Sequence, residues 1–257
     1  MLRSRITPVL LIHNNGLVKT VQFKAPKYVG DPLNAVRIFN EKEVDELIVV
    51  DIDKSSKNLE PDFGLIERLA IESRMPLCYG GGIKTPEQAQ RLVNLGVEKV
   101  AISSAIINEP NLVREMSEAV GQQSIVAVLD IKKTGLMKKY RLFTLNGTKE
   151  SNRDPFDFAL ELQSIGIGEI LVNAIDQEGT MTGYDNKLNS KMRDLLDVPI
   201  TFLGGAGSLS DIKDLVQCFG PVGAGAGSIF VFKGKYRAVL INYPNEADKH
   251  SLYNHYK

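Results

Sequence analysis

The chain repeats itself, and that limits its fold more than any other feature. VLLIHNNGLVK (residues 9–19) is matched at six of eleven positions by VLDIKKTGLMK (128–138). DELIVVDID (45–53) is matched by GEILVNAID (168–176). GGGIKTPEQAQRLVNLGVEKVAISSAI is matched by GGAGSLSDIKDLVQCFGPVGAGAGSIF, so that Gly81 corresponds to Gly205 and Ser104 to Ser228 at one common separation. Internal repeats of this length mark an architecture built from copies of one substructure. Each half must therefore be a unit that closes against its copy.

Each half alternates short β-branched runs with stretches of helical period. ITPVLLI, DELIVVDI, PLCYG, KVAIS, SIVAVLDI, EILVNAI, PITFLG and VGAGAG read as strands, with an amphipathic segment after each. Eight β-then-α units in 257 residues predict a (β/α)8 TIM barrel made of two homologous half-barrels, about 1–120 and 121–245. An open doubly wound sheet would leave the repeat unexplained. A closed barrel also removes the exposed edges that a half-barrel alone would present. No Pro/Gly/Ser-rich linker separates the halves, so residues 1–257 are expected to form one domain.

Composition narrows the function. Lys+Arg and Asp+Glu both number 31, which gives no reason to expect a nucleic-acid partner. The local basic stretch IKKTGLMKKYR reads as a solvated loop or strand edge. No run of 18 apolar residues and no secretory pattern around Arg3 and Arg5 is present, so no membrane partner and a cytoplasmic location are expected. Cys78 and Cys218 lack metal-ligand spacing and read as buried thiols, with no metal and no cofactor expected.

In a barrel of this type, chemistry sits at the C-terminal ends of the strands. Glycine-rich turns there offer backbone N–H groups to phosphate, and neighbouring serines add hydroxyl donors. The chain has two such devices at corresponding positions. One is Gly80, Gly81 and Gly82 with Ser103 and Ser104; the other is Gly204, Gly205 and Gly207 with Gly227 and Ser228. Two devices on one barrel end predict a ligand with a phosphate at each end.

This arrangement resembles the cyclase subunit family of imidazole glycerol phosphate synthase (the HisF family). The resemblance covers essentially the whole chain, through R-I-x-P at 5–8, GDP at 30–32, DEL at 45–47, GGGI at 80–83, EGT at 178–180, GYD at 183–185 and GGAG at 204–207. It implies a HisH-like glutaminase partner in a heterodimer that supplies ammonia. It also implies ring closure on a bis-phosphorylated ribotide. Lys19, Asp51, Ser104, Asp130, Asp176 and Ser228 then fall on active-site or substrate positions.

The family's cyclase chemistry uses two aspartates as general acid and base. Asp130 stands at one of these positions, and Leu11 at the other. Losing such a group typically costs about 10²–10⁴ in rate. His13, two residues on, projects to the same side of an ideal strand; it is either a substitute acid–base group or an ordinary loop-edge histidine. Other departures from the family pattern are Ser103 for Asn, Glu178 for Asp, Leu203 for Ser and Lys27-Tyr28 for Arg-Asp.

By the same resemblance, Arg5, Glu46, Lys99 and Glu169 match the charged ring through which ammonia enters the family's barrel. Such a ring can also simply plug a barrel bottom, since buried charges persist only when paired. A branch of the family with Leu in place of the aspartate is associated with acetamidino sugars of surface polysaccharides, working with a glutaminase and a separate sugar amidotransferase. Three readings therefore stand: an ammonia-delivering paralogue acting on a sugar phosphate or similar acceptor, a working cyclase of histidine biosynthesis, and a non-catalytic scaffold that activates its glutaminase.

Overall fold

The computed structural model describes residues 4–253; Arg3 and the last residues of the polar tail lie outside it. Eight parallel strands form the wall: β1 (Arg5–His13), β2 (Leu47–Asp51), β3 (Leu77–Gly80), β4 (Lys99–Ile102), β5 (Ile125–Thr134), β6 (Glu169–Ala174), β7 (Ile200–Leu203) and β8 (Gly223–Ala226). Each pairs with the next, and β8 pairs with β1 through Arg5↔Gly223 to Pro8↔Ala226, so the sheet closes on itself. A helix follows each strand: α1 (Pro32–Glu41), α2 (Phe63–Glu72), α3 (Pro86–Asn94), α4 (Leu112–Val120), α5 (Pro155–Ile165), α6 (Asn186–Leu195), α7 (Leu209–Phe219) and α8 (Glu246–Tyr253). The chain folds as the (β/α)8 barrel that the repeat requires.

The helices start where the sequence provides caps. Asp31, Asp62, Asp154 and Asp185 accept backbone N–H groups at the starts of α1, α2, α5 and α6. Thr85–Gln88 and Ser208–Asp211 form capping boxes for α3 and α7. Pro32, Pro86 and Pro155 occupy first-turn positions where no N–H is needed.

Strand alternation divides the core in two. Ile6, Leu10 and Ile12 of β1, Leu47 and Val49 of β2, and Ile170 and Val172 of β6 face the helices. Val9, Ile48, Cys78, Ala101, Val126 and Leu171 face inward as a second apolar cluster. Space inside the barrel is tight: a Cβ on Gly223 would collide with the Thr201 hydroxyl, which fixes glycine there.

Three features differ from the sequence reading. The segments after β1 and β5 are hairpins, with strands Gly16–Val21 and Lys24–Gly30 in one and Lys139–Thr144 and Lys149–Glu150 in the other. The first turns at Asn14 and Asn15, both at positive φ, the pattern of a tight hairpin turn. The basic stretch IKKTGLMKKYR is thus mostly paired strand, with Leu136 and Met137 exposed at its tip. Cys218, expected to be buried, is exposed. It lies on α7 between the inward positions Leu215, Val216 and Phe219, on the solvent side of the helix.

Candidate functional site

Inward-facing residues stack in storeys along the barrel axis. The lowest is ionic. Arg5 Nε lies 3.2 Å from Glu46 Oε2 and Arg5 Nη2 lies 2.7 Å from Glu169 Oε1. Lys99 Nζ lies 2.7 Å from Glu46 Oε1 and 2.8 Å from Glu169 Oε2. The four groups form an unbroken ring of alternating charge, and the Thr201 hydroxyl donates to Glu169 Oε1 at 2.5 Å. Burial alone would lower the Lys99 pKa, but the two carboxylates outweigh it and hold the ammonium above its ordinary value. Burial would likewise raise Glu169, but Arg5 and Lys99 outweigh it and hold the carboxyl below the usual range. The four residues that the family resemblance assigns to a charged ring are brought together here.

The next storey is the inner apolar cluster, with Val50, Val128 and Leu203 packed against it. Cys78 belongs to it, and burial first, then the nearby Glu46 and Glu169 charges, push its thiol well up. Above lies a cavity of about 1080 Å³ at the C-terminal end, lined among others by Leu11, His13, Asp51, Ser103, Asp130 and Asn173.

At the floor of this cavity the two halves differ. In the first half Leu11 of β1 is in register with Val50 of β2. In the second, Asp130 of β5 is in register with Asn173 of β6. The repeat aligns Leu11 with Asp130 and Val50 with Asn173, so one wall is apolar where the other is polar. Asn173 Nδ2 donates to Asp130 Oδ1 at 2.8 Å. Burial raises the Asp130 pKa to about 6; the Asn173 hydrogen bond counters the rise and the Glu178 charge adds to it. Asp130 therefore changes charge near neutral pH, as a general acid–base group requires. Its folded pKa exceeds the unfolded value, so this group favours the fold less as pH rises from about 4 to about 6. The carboxyl ¹³C resonance of Asp130 should titrate with a midpoint near 6, and Glu178→Gln should move that midpoint down. A midpoint near 4 in the wild type would contradict the burial argument.

The two glycine-rich devices occupy the rim. Gly81 and Gly82 both have positive φ, and Cβ atoms there would meet Asp51 O at 2.5 Å and Leu59 O at 2.6 Å. Gly80, Gly81 and Gly82 line the large cavity with Ser103 and Ser104. The Ser103 hydroxyl is buried without a hydrogen-bond partner among the described residues, while the Gly82 N–H donates to Ser55 Oγ at 3.2 Å. Asp51 caps the short helix Ile52–Ser56, accepting Asp53 N–H at 3.0 Å, and burial raises its pKa. At the second device a smaller cavity of about 40 Å³ is lined by Lys19, Leu11, Glu178, Gly204, Gly205, Gly227 and Ser228. Lys19 is buried; its ammonium donates to Val9 O at 3.3 Å and fills the space a Cβ on Gly227 would need. Burial lowers its pKa, partly offset by Glu178.

Of the residues named from sequence for the substrate site, Asp176 and Gly207 do not line either cavity. The Asp176 carboxylate accepts the Lys133 N–H at 2.8 Å, and its mirror Asp53 accepts the Asn14 N–H at 2.8 Å. Both aspartates brace the bases of the hairpins. The Gly207 N–H donates to Asp211 Oδ2 at 2.8 Å, inside the α7 capping box. His13 does face the large cavity, with Nδ1 2.8 Å from Asp53 Oδ1. Sequence reasoning missed Asn173 as a site residue, although the alignment of 45–53 with 168–176 places it opposite Val50. It also left Glu178 without a role. Glu178 Oε2 accepts from Thr20 Oγ1 at 2.9 Å and from the Phe23 N–H at 3.3 Å, pinning the first hairpin over the site.

Among the described residues no group of three or more His, Cys, Asp or Glu is placed to hold a metal ion, and no helix is long and apolar enough to cross a membrane.

Residues 5–237 match the family described as "Histidine biosynthesis protein". The chain is 57% identical over 249 residues to the provisionally named imidazole glycerol phosphate synthase subunit hisF3 of Vibrio vulnificus, covering 97% of this chain and 96% of that one. It is 49% identical over 245 residues to the likewise provisionally named subunit hisF2 of Pseudomonas aeruginosa, covering 95% and 97%. With the imidazole glycerol phosphate synthase subunit HisF of Exiguobacterium sibiricum it shares 35% identity over 230 residues, covering 90% and 91%. A closed barrel with these relatives along nearly its full length belongs to the HisF family of imidazole glycerol phosphate synthase subunits.

Proposed function

We propose that this chain is the barrel subunit of a glutamine amidotransferase complex whose task is ammonia delivery rather than ring closure. A glutaminase subunit docks at the N-terminal face as a heterodimer. Ammonia passes the ring of Arg5, Glu46, Lys99 and Glu169, crosses the apolar storey, and emerges at the floor of the cavity. The acceptor carries phosphate, held by Gly81, Gly82, Ser103 and Ser104 on one side and by Gly205, Gly227 and Ser228 with Lys19 on the other. It is a sugar phosphate or a related compound on the way to acetamidino sugars, handled here or by a separate sugar amidotransferase.

One observation carries this reading. The charge ring, apolar storey and cavity are stacked on one axis, yet of the two floor positions that the repeat pairs, one keeps a carboxylate, Asp130, and the other holds Leu11. Leucine can neither accept nor deliver a proton, so chemistry that needs an acid and a base on opposite sides of a substrate lacks one of them. The test is direct. The purified chain, given ammonium salt and the bis-phosphorylated ribotide, should form no imidazole product. Turnover comparable to that of a HisF subunit assayed alongside would overturn the reading. In complex with a glutaminase, Lys99→Ala should uncouple glutamine hydrolysis from nitrogen transfer and release free ammonia; unchanged coupling would favour a scaffold.

The His13–Asp53 pair supports a second reading, a working cyclase in which His13 replaces the missing acid–base group. A carboxylate on Nδ1 orients an imidazole as a base. In that case the same assay gives product, and His13→Gln abolishes it.

A further inference from the structure

Asn173 is 6% exposed, and its Oδ1 has no hydrogen-bond donor among the described residues. Buried acceptors without donors are rare and call for a cause. The orientation of the amide is fixed by its neighbour. Nδ2 lies 2.8 Å from Asp130 Oδ1, and only the NH₂ end of an amide can face an ionised carboxylate. The carbonyl end is therefore the one turned away from Asp130, and Asn173 lines both cavities.

Its position on the axis matters equally. Glu169, Leu171 and Asn173 alternate along β6 and share its inward face. Glu169 is in the ionic ring, Leu171 in the apolar storey, and Asn173 stands directly above. Leu203 is in register with Asn173 on the neighbouring strand, and across the floor the side chains of Leu11 and Val50 are apolar. The polar pair next to the apolar storey on this side, Asn173 and Asp130, belongs to the second half of the repeat.

We propose that Asn173 Oδ1 and the Asp130 carboxylate form a seat for ammonia at the top of the barrel interior. Ammonia has three N–H donors and one lone pair. Two N–H groups bind the amide carbonyl and the carboxylate, and the lone pair is left for an electrophile in the cavity. The seat rests on the delivery reading for how ammonia arrives, but not for whether it binds.

The test uses the ¹³C,¹⁵N-labelled chain alone, titrated at about pH 9, where much of the added ammonium is free ammonia, with ammonium chloride and, separately, with potassium chloride at equal concentration and pH. The side-chain carbonyl carbon of Asn173 and the carboxyl carbon of Asp130 should shift saturably with ammonium and not with potassium. Asn173→Leu should remove the saturable response of Asp130, and Asn173→Ser, which keeps an acceptor oxygen, should restore part of it. No saturable response to ammonium, an equal response to potassium, or an Asp130 response that survives Asn173→Leu would each overturn the seat. Should Asn173→Leu not fold, the wild-type comparison of the two salts decides alone. No glutaminase is present, so a filled seat with uncoupled delivery in the complex refutes the channel only, and an empty seat with coupled delivery refutes the seat only.

Discussion

Leu11→Asp should raise ring closure on the bis-phosphorylated ribotide by about 10²–10⁴ over the wild-type background, the usual contribution of one positioned acid–base group. Leu11 occupies on β1 the place that Asp130 occupies on β5, and its side chain borders both cavities. A carboxylate there would face the same space as Asp130 from the opposite half. The gain is measured with ammonium salt as nitrogen source, which removes any dependence on a glutaminase. The double variant Leu11→Asp, Asp130→Asn should return to background, because the two groups act as a pair. A Leu11→Asp variant that folds and gains nothing would show that ring closure was lost elsewhere in the pocket, with Ser103 and Glu178 the next residues to exchange.

Glu169→Ala should cost about 3–5 kcal/mol of stability, the usual penalty for removing one partner of a buried ion pair. Glu169 is 5% exposed and accepts from Arg5, Lys99 and Thr201 at once. Its loss strands half of the interactions of two cations inside the barrel, whereas Glu46 can pair with both only through its own two oxygens. Urea unfolding reads the loss as a lower midpoint at unchanged slope. Glu169→Gln retains an acceptor for Thr201 and should cost less. A drop below about 1 kcal/mol for the alanine variant would mean that water enters the barrel bottom and solvates the ring.

The barrel was legible in the sequence because its signals are local and doubled: apolar runs of strand length, capped amphipathic segments, and a repeat that aligns them. The four ring residues were legible through family resemblance, since no single segment shows that charges from four separate strands meet. The hairpins were harder. KTVQF and KKYRLFT carry few turn signals beyond Asn14-Asn15-Gly16, and their pairing depends on the strands they rise from. Asp176 was placed at the site by motif position, but it sits just beyond β6, where its side chain reaches the Lys133 backbone and not the cavity. Asn173 was missed because an isolated Asn in an apolar run reads as a tolerated polar residue. Only its pairing with Asp130 across two strands, which no single segment displays, gives it meaning.

A barrel assembled from two copies of one unit has a near two-fold axis, and such an axis presents a problem to a ligand that is similar at both ends. Either end could enter either rim cradle, so half the encounters would place the reactive atom backwards. The floor breaks that degeneracy. Leu11 and Val50 on one side and Asp130 and Asn173 on the other make the two poses inequivalent, since only one sets a polar centre against polar groups. Divergence at two corresponding positions thus gives a duplicated, pseudo-symmetric vessel a handedness.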